Sequence, residues 1–293
     1  MTEIISTRKP KDRSVKTMLL VKRILVYAVL GFITLLCIAP FYILIINASR
    51  PHLEIQQGFS FVPGNYFFKN FMNMFSYSHI QIGRALGNSL FISVLSSILT
   101  TYFSALTAFA IFMYRFKGKT FAFMFILFVM MIPTQVSALG LVTIAYRINM
   151  INSFIPIIVP AIASPVTFFY IKQYMESVLN KEIIESARVA GASEIRIFHQ
   201  IVLPIMKPAL AVQFIFAFVS SWNNLFTPSL LLTDAKYQTI PIIFTLLRSS
   251  DPITFDTGVV YMIITIAIIP LLIIYFILSK LIIGGLTAGS VKG

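Results

Sequence analysis

Between positions 181 and 204 the chain reads Lys-Glu-Ile-Ile-Glu-Ser-Ala-Arg-Val-Ala-Gly-Ala-Ser-Glu-Ile-Arg-Ile-Phe-His-Gln-Ile-Val-Leu-Pro. The chemistry available here is recognition by ion pairs and apolar contact. Glu182 and Glu185 stand on neighbouring turns of a helix predicted over 181–190, and Glu185 can pair with Arg188 at i, i+3. Gly191 supplies the positive φ common at a helix C-terminus. Ser193 is a fitting N-cap for a second helix, and Glu194 suits the positive end of its dipole. Pro204 is expected to stop that helix, and Pro208 suits the first turn of the next. Ile195, Phe198, Ile201 and Val202 share one apolar face, and Ile183, Ile184 and Ala187 form another. Such a hairpin can insert into a groove on a partner and move as a rigid body. The same pattern also fits an amphipathic linker lying on a membrane surface.

Other reactive groups are sparse. Cys37 is the only cysteine, so no internal disulfide and no cysteine metal site can form. His52, His79 and His199 are far apart in sequence, which argues against a metal centre or histidine catalysis. No G-x-x-x-x-G-K-[ST] loop is present, so the chain cannot hydrolyse ATP by that route. Any energy for active transport must come from another polypeptide. Polar groups that can face a solute are Gln135, just past Pro133, and the Trp222, Asn223 and Asn224 run. Their ordinary reading is interfacial anchoring or bonding between helices.

The composition says what positions these residues. Apolar residues make up 58% of the 293 and charged residues 11%, against about 45–50% and about 25% in soluble domains. Mean hydropathy is +0.88. Six runs reach the roughly 20 apolar residues that span a bilayer core: 24–46, 86–113, 120–144, 154–171, 208–231 and 257–279. Pro156, Pro160 and Pro165 are expected to distort the fourth, and Pro133 to break the third. The first run is too long for a cleaved signal peptide and is followed by no small-residue cleavage site.

The net charge of +13 lies between these runs and not in a basic patch with interleaved aromatics, which points to membrane topology and not to nucleic acid. Seventeen of the 23 Lys and Arg fall in the N-terminal tail, the second-to-third and fourth-to-fifth connections, and the C-terminal end. The other six are Arg50, Lys69, Arg84, Arg147, Lys236 and Arg248. The positive-inside rule then puts both termini in the cytoplasm. The expected organisation is a cytoplasmic tail over 1–23, a six-helix domain over 24–283 with a cytoplasmic loop at 172–207, and a cytoplasmic tail over 284–293. None of the six runs contains Asp, Glu, Lys, Arg or His. Ion-coupled carriers and voltage sensors hold ionisable groups at depth, so a neutral, hydroxyl-rich solute fits this lining better than an ion. An intramembrane enzyme is disfavoured for the same reason. A stand-alone secondary carrier is a rival reading, although no internal repeat of the kind many carriers show is evident.

The hairpin resembles the "EAA" loop of ABC importer permeases, which runs Glu-Ala-Ala, three residues, Gly, nine residues, Ile-x-Leu-Pro. This chain has Glu185-Ser186-Ala187, Gly191 and Ile201-Val202-Leu203-Pro204 at that spacing. Ser186 stands for the usual Ala, and Ala190 for a frequent Asp. Further segments resemble the maltose-type carbohydrate branch: Asn65 to Phe71, Asn88-Ser89-Leu90, Tyr114 to Lys119, Met131 to Gln135, Ser221 to Phe226, and Gly285 to Gly293. The resemblance implies an all-α integral membrane protein with the type I ABC importer permease fold, resident in a bacterial plasma membrane. It implies a second, homologous permease subunit, two ATP-binding cassette ATPase subunits that use the ATP and Mg, and an extracellular or periplasmic solute-binding protein. No cofactor is expected on this chain. Glu185 takes the role of pairing with a base on the ATPase, Gly191 that of the turn, and Ala187 that of a close-packing contact. Glu182 and Ser186 complete the implied docking surface, and the C-terminal tail is implied to touch the ATPase. The solute is a sugar or oligosaccharide in this reading, with another solute class as the alternative.

Overall fold

The structure, a computed structural model, describes residues 12–76, 80–249 and 256–290. Arg8, Lys9, Lys11, Tyr77, His79 and Lys292 lie outside the described residues. Every regular element among those described is helical. The chain opens with α1 (Asp12–Ala48), then two short helices, α2 (His52–Gln56) and α3 (Phe67–Ser76). After α4 (Ile82–Met113) come α5 (Lys119–Met130) and α6 (Thr134–Arg147). The short α7 (Ile155–Ile158) passes through a 3-10 turn, Val159–Ile162, into α8 (Pro165–Val178). The hairpin is α9 (Lys181–Val189) and α10 (Glu194–Ile197), which lead into α11 (Leu203–Trp222). Last are α12 (Phe226–Leu231), α13 (Ile240–Ser249) and α14 (Thr257–Ser290).

Five helical runs are long and apolar enough to cross a membrane: Met18–Ala48, Ile82–Met113, Ile155–Val178, Glu194–Trp222 and Thr257–Leu281. The pair α5 and α6 passes the same test together but bends by 95° at its break. It makes a sixth crossing if counted as one span. Pro133 sits at that break, as expected for a residue with no N–H to donate.

Helix α4 is the central rod. Both α8 and α11 pack along it, and α11 also packs on α14. Its buried residues include Ser89, Ser93, Ser96, Ser97, Thr100, Thr101, Ser104, Ala105 and Ala108. Small side chains let helices approach closely where lipid provides no hydrophobic drive. The hydroxyls also answer the broken fourth run. Thr100 Oγ1 donates to the Ala161 carbonyl at 2.6 Å, and Ser104 Oγ to that of Ser164 at 3.5 Å. Backbone polar groups at membrane depth need such partners, since hydrocarbon offers none. At the other end of α4, Asn88 Nδ2 donates to the carbonyls of Lys236 and Gln238, and Ser89 Oγ accepts from the Ile240 amide at 2.9 Å.

Several boundaries differ from expectation, and the fourth run continues to Val178, beyond the expected 171. Pro204 does not stop a helix. A π-helical segment, Phe198–Val202, precedes it, with the Leu203 amide bonded five residues back to Phe198. That widened turn accommodates the proline ring and its missing donor. The fifth run therefore begins at Glu194 and ends at Trp222, not at 208 and 231, and Pro208 lies inside α11. Likewise α14 continues unbroken to Ser290, so most of the segment expected as a tail is helix.

The segment after α1 closes one end of the bundle. Asn70 Nδ2 donates to the carbonyls of Ala48 and Arg50 at 2.9 and 3.0 Å. His52 Nδ1 accepts from the Thr257 amide at 3.1 Å. Gly258 lets α14 reach this knot: a Cβ there would lie 2.7 Å from Asn70 Nδ2 and closer still to the Arg50 carbonyl. Gly258→Ala should therefore cost about 1–3 kcal/mol through overpacking. Gly140→Ala is the control, because nothing lies within 4 Å of its Cβ position. Thermal unfolding in mild detergent should show a lowered midpoint for the first variant only; equal midpoints contradict this packing.

Candidate functional site

The hairpin is built by local chemistry that the sequence states. Asn180 Oδ1 accepts from the Glu182 amide at 2.9 Å and caps α9. At the far end Gly191 has φ +83°, its amide donates to the Arg188 carbonyl, and the Ala192 amide reaches back to Ala187. This is a Schellman closure, and it satisfies the last carbonyls of the helix. Ser193 then caps α10, its Oγ accepting from the Arg196 amide at 3.4 Å.

The hairpin is rooted in the transmembrane core. Ile184, Ile197, Phe198 and Val202 are buried in one apolar cluster with Phe109 and Phe112 of α4 and Ile171 and Met175 of α8. The expected faces thus divide. Ile184, Phe198 and Val202 are buried, whereas Ile183 and Ile195 are exposed, Ile195 to 75%. Val189 at the tip is 91% exposed. The hairpin therefore keeps an apolar outer surface after its inner face is used.

Arg188 does not pair with Glu185. Its Nε and Nη2 donate to Glu194 Oε1 and Oε2 at 2.6 and 3.1 Å, a bidentate pair across the turn. Tyr114, at the C-cap of α4, donates its hydroxyl to Glu194 Oε2, and the Arg188 guanidinium lies 5.5 Å from its ring centroid. Burial, then the bond to Glu194, pushes the Tyr114 phenol above its usual range, so it remains a donor. The bond to Glu194 likewise raises Arg188. Three residues thus lock both arms of the hairpin to the end of α4. Tyr114 belongs to the segment Tyr114 to Lys119 singled out by sequence, but its role shows only in three dimensions.

The arrangement leaves Glu185 with no ion pair among the described residues and exposed beside Glu182, Ser186 and Gly191. Ser186 Oγ donates to the Ile183 carbonyl at 3.0 Å, so its hydroxyl needs no outside partner. Ala187 is half-buried at the edge of a cleft of about 270 Å3 shared with Gly191, Arg196 and Gln200. A free carboxylate, exposed aliphatics and a shallow cleft are suited to docking a protein surface with a basic group.

Of the polar residues named for the solute pathway, Trp222 and Asn223 line one cleft, and Asn224 and Gln135 lie outside it. Trp222 is only 3% exposed and stacks on Phe218 at 5.6 Å, so its face is used within the fold. Asn223 is exposed and lines a cleft of about 490 Å3 with Trp222, Leu225, Pro241, Phe244 and Arg248. Asn224 is turned to the backbone, its Oδ1 accepting from the Thr227 amide at 3.4 Å. Gln135 is exposed at the start of α6 and accepts from Thr134 Oγ1; it does not share that cleft. Arg248 is a cleft residue that sequence reading left on a loop.

A many-spanned helical bundle with two broken runs and a rigid hairpin rooted in its core is the build of a membrane transport subunit. The chain belongs to the binding-protein-dependent transport system inner membrane component family, whose sequence model matches residues 97–287. It is 32% identical over 267 residues to the arabinooligosaccharides transport system permease protein AraQ of Bacillus subtilis (strain 168), covering 89% of this chain and 92% of the relative. The protein of that name from Halalkalibacterium halodurans is 31% identical over 266 residues, covering 90% and 94%. The lactose transport system permease protein LacG of Rhizobium radiobacter is 27% identical, covering 91% and 95%. The fold matches, with a TM-score of 0.74 at 21% identity, a chain of a bacterial ABC transporter involved in the import of the acidic polysaccharide alginate; 95% of this chain and 99% of that one are covered.

The lock on the hairpin has a direct check. Both partners of the pair are partly exposed, so solvent screening holds its worth to about 0.5–1 kcal/mol. Glu194→Gln or Tyr114→Phe should raise the rate of limited proteolysis at 189–193 by about two- to fivefold in detergent. Cleavage at other sites should be unchanged. Wild-type rates at the turn in both variants contradict the lock.

Proposed function

We propose that this chain is the permease subunit of an ATP-driven importer for a neutral sugar or short oligosaccharide. The observation that carries the reading is the hairpin itself. It is rigid, rooted in the transmembrane core, and presents Glu185, which has no ion pair among the described residues, beside exposed aliphatic residues. Such a surface suits a cytoplasmic ATPase subunit that supplies the hydrolysis this chain lacks. The names of the relatives support a carbohydrate solute. The charge-free central runs support a neutral one.

In this reading both termini and the hairpin lie in the cytoplasm. A second permease subunit completes the translocation path, and two ATPase subunits each grip one hairpin. An external binding protein delivers the solute. Closure of the ATPase pair on ATP and Mg pushes the hairpin, and the lock at Tyr114 and Glu194 passes that push to α4. Asn223, which lines its cleft beside Trp222, is the candidate solute contact; Asn224 is bonded to the Thr227 amide, and Gln135 lies outside the cleft. The guanidinium of Arg248 in the same cleft favours a second reading, a phosphorylated polyol. A relative from Yersinia enterocolitica, 28% identical over 210 residues, is named as an sn-glycerol-3-phosphate transport system permease protein.

Two variants test this in the importer assembled with its partners. Glu185→Lys should lower substrate-stimulated ATP hydrolysis by more than about tenfold, because like charges meeting in an interface cost several kcal/mol. Uptake at the wild-type level contradicts docking through this face. Asn223→Ala should raise the half-saturating solute concentration by about fivefold, the worth of one hydrogen bond, with assembly intact. Competition of uptake by glycerol phosphate but not by arabinooligosaccharides would select the second reading.

A further inference from the structure

We infer that the groove between α4, α5 and α8 binds an anionic phospholipid. At the end nearest the hairpin, a cavity of about 240 Å3 is lined by Lys119, Lys172 and Lys181 with Phe112, Phe123 and Glu176. Lys172 is only 8% exposed, is held by Glu176 at 2.7 Å, and lies 4.4 Å from the Phe123 ring centroid. The other two ammonium groups pair with no carboxylate among the described residues. Lys119 Nζ donates to the Tyr114 carbonyl, and Lys181 Nζ lies 5.0 Å from the Phe112 ring centroid. Three cations against one acid leave this pocket positive, and two of them have donors to spare.

A second cavity of about 240 Å3 continues the same groove into the span. Its lining includes Thr107, Ile126 and Phe168. Each stands three or four residues, one helical turn, from Ile111, Phe123 and Lys172 of the first cavity. Apolar side chains dominate it, among them Phe125 and Val129 on one face of α5 and Pro165 at the start of α8. Phe121, Phe125 and Phe128 of α5 are exposed, so this side of the groove is open.

A basic pocket at the interface that leads into an apolar slot at membrane depth has the shape and polarity of a phospholipid. Free phosphate would use the lysines and leave the slot unused. A neutral lipid would use the slot and leave Lys119 and Lys181 without a counter-ion. Basic pockets between helices on the cytoplasmic side are suited to anionic headgroups. The leaflet assignment rests on the orientation proposed above; the pocket chemistry does not. The lysines flank the start of α5 and of the hairpin helix α9, so a headgroup there would brace the hairpin against the membrane surface.

The test is lipid retention by the assembled importer, measured by native mass spectrometry after titration with dioleoylphosphatidylglycerol or dioleoylphosphatidylcholine. The anionic lipid should bind more tightly. Lys119→Gln/Lys181→Gln should weaken it about thirtyfold, each surface lysine being worth about fivefold. Val129→Trp, which fills the slot without touching charge, should weaken both lipids. Lys236→Gln, a lysine outside the groove, should leave retention unchanged, and no variant in this set alters Glu185, which separates this site from ATPase docking. Equal affinity for the two lipids, wild-type retention in the double lysine variant, or displacement of the lipid by inorganic phosphate would overturn the proposal. So would finding the groove covered by a partner subunit with no lipid bound.

Discussion

The hydroxyl and small-residue face of α4 is the constraint on which the rest of the structure depends. In hydrocarbon an unpaired backbone carbonyl costs several kcal/mol, so a broken helix survives only beside a donor. Thr100 and Ser104 are those donors for the break between α7 and α8. The same face lets α8 and α11 pack closely on one rod. Asn88 and Ser89 fasten the connection before α13 to its first turns. Tyr114 fastens the hairpin to its last. One helix therefore touches both ends of the molecule.

In the proposed reading, that arrangement lets a chain with no G-x-x-x-x-G-K-[ST] loop serve active transport. A push on the hairpin cannot be absorbed locally. Ile184, Ile197 and Phe198 sit in the transmembrane core, and the Schellman turn and the Arg188–Glu194 pair fix the angle between its arms. Movement of the hairpin must move α4, and with it the helices packed against it. The π-helical segment before Pro204 is the one irregular joint between hairpin and α11, and irregular helical turns are frequent at functional sites.

Much of this was legible in the sequence because it follows from local rules. Apolar run length placed the first, second and last spans. Pro133 marked the break, and Gly191 and Ser193 marked the turn and cap of the hairpin, each through one backbone requirement. What was not legible depends on contacts between distant segments. Helical spacing offered Glu185 to Arg188, but the turn folds back and brings Glu194 closer, with Tyr114 supporting it from another helix. Pro204 reads as a stop under helix rules, and only a widened turn lets the helix run on. Trp222 reads as interfacial, yet Phe218 and its neighbours bury it. Lys172 lay just outside a predicted span that in fact continues to Val178, so its burial against Glu176 and Phe123 was invisible.

The central claim is that an ATPase subunit grips the hairpin from the cytoplasm. Val189 at the tip is the reporter, being exposed and distant from the core contacts. A Val189→Cys variant in a Cys37→Ser background gives one thiol for a membrane-impermeant maleimide. Labelling should occur only from the cytoplasmic face of vesicles and should be blocked when the ATPase subunits are bound. Labelling from the outer face, or equal labelling with and without the ATPase, would contradict the account.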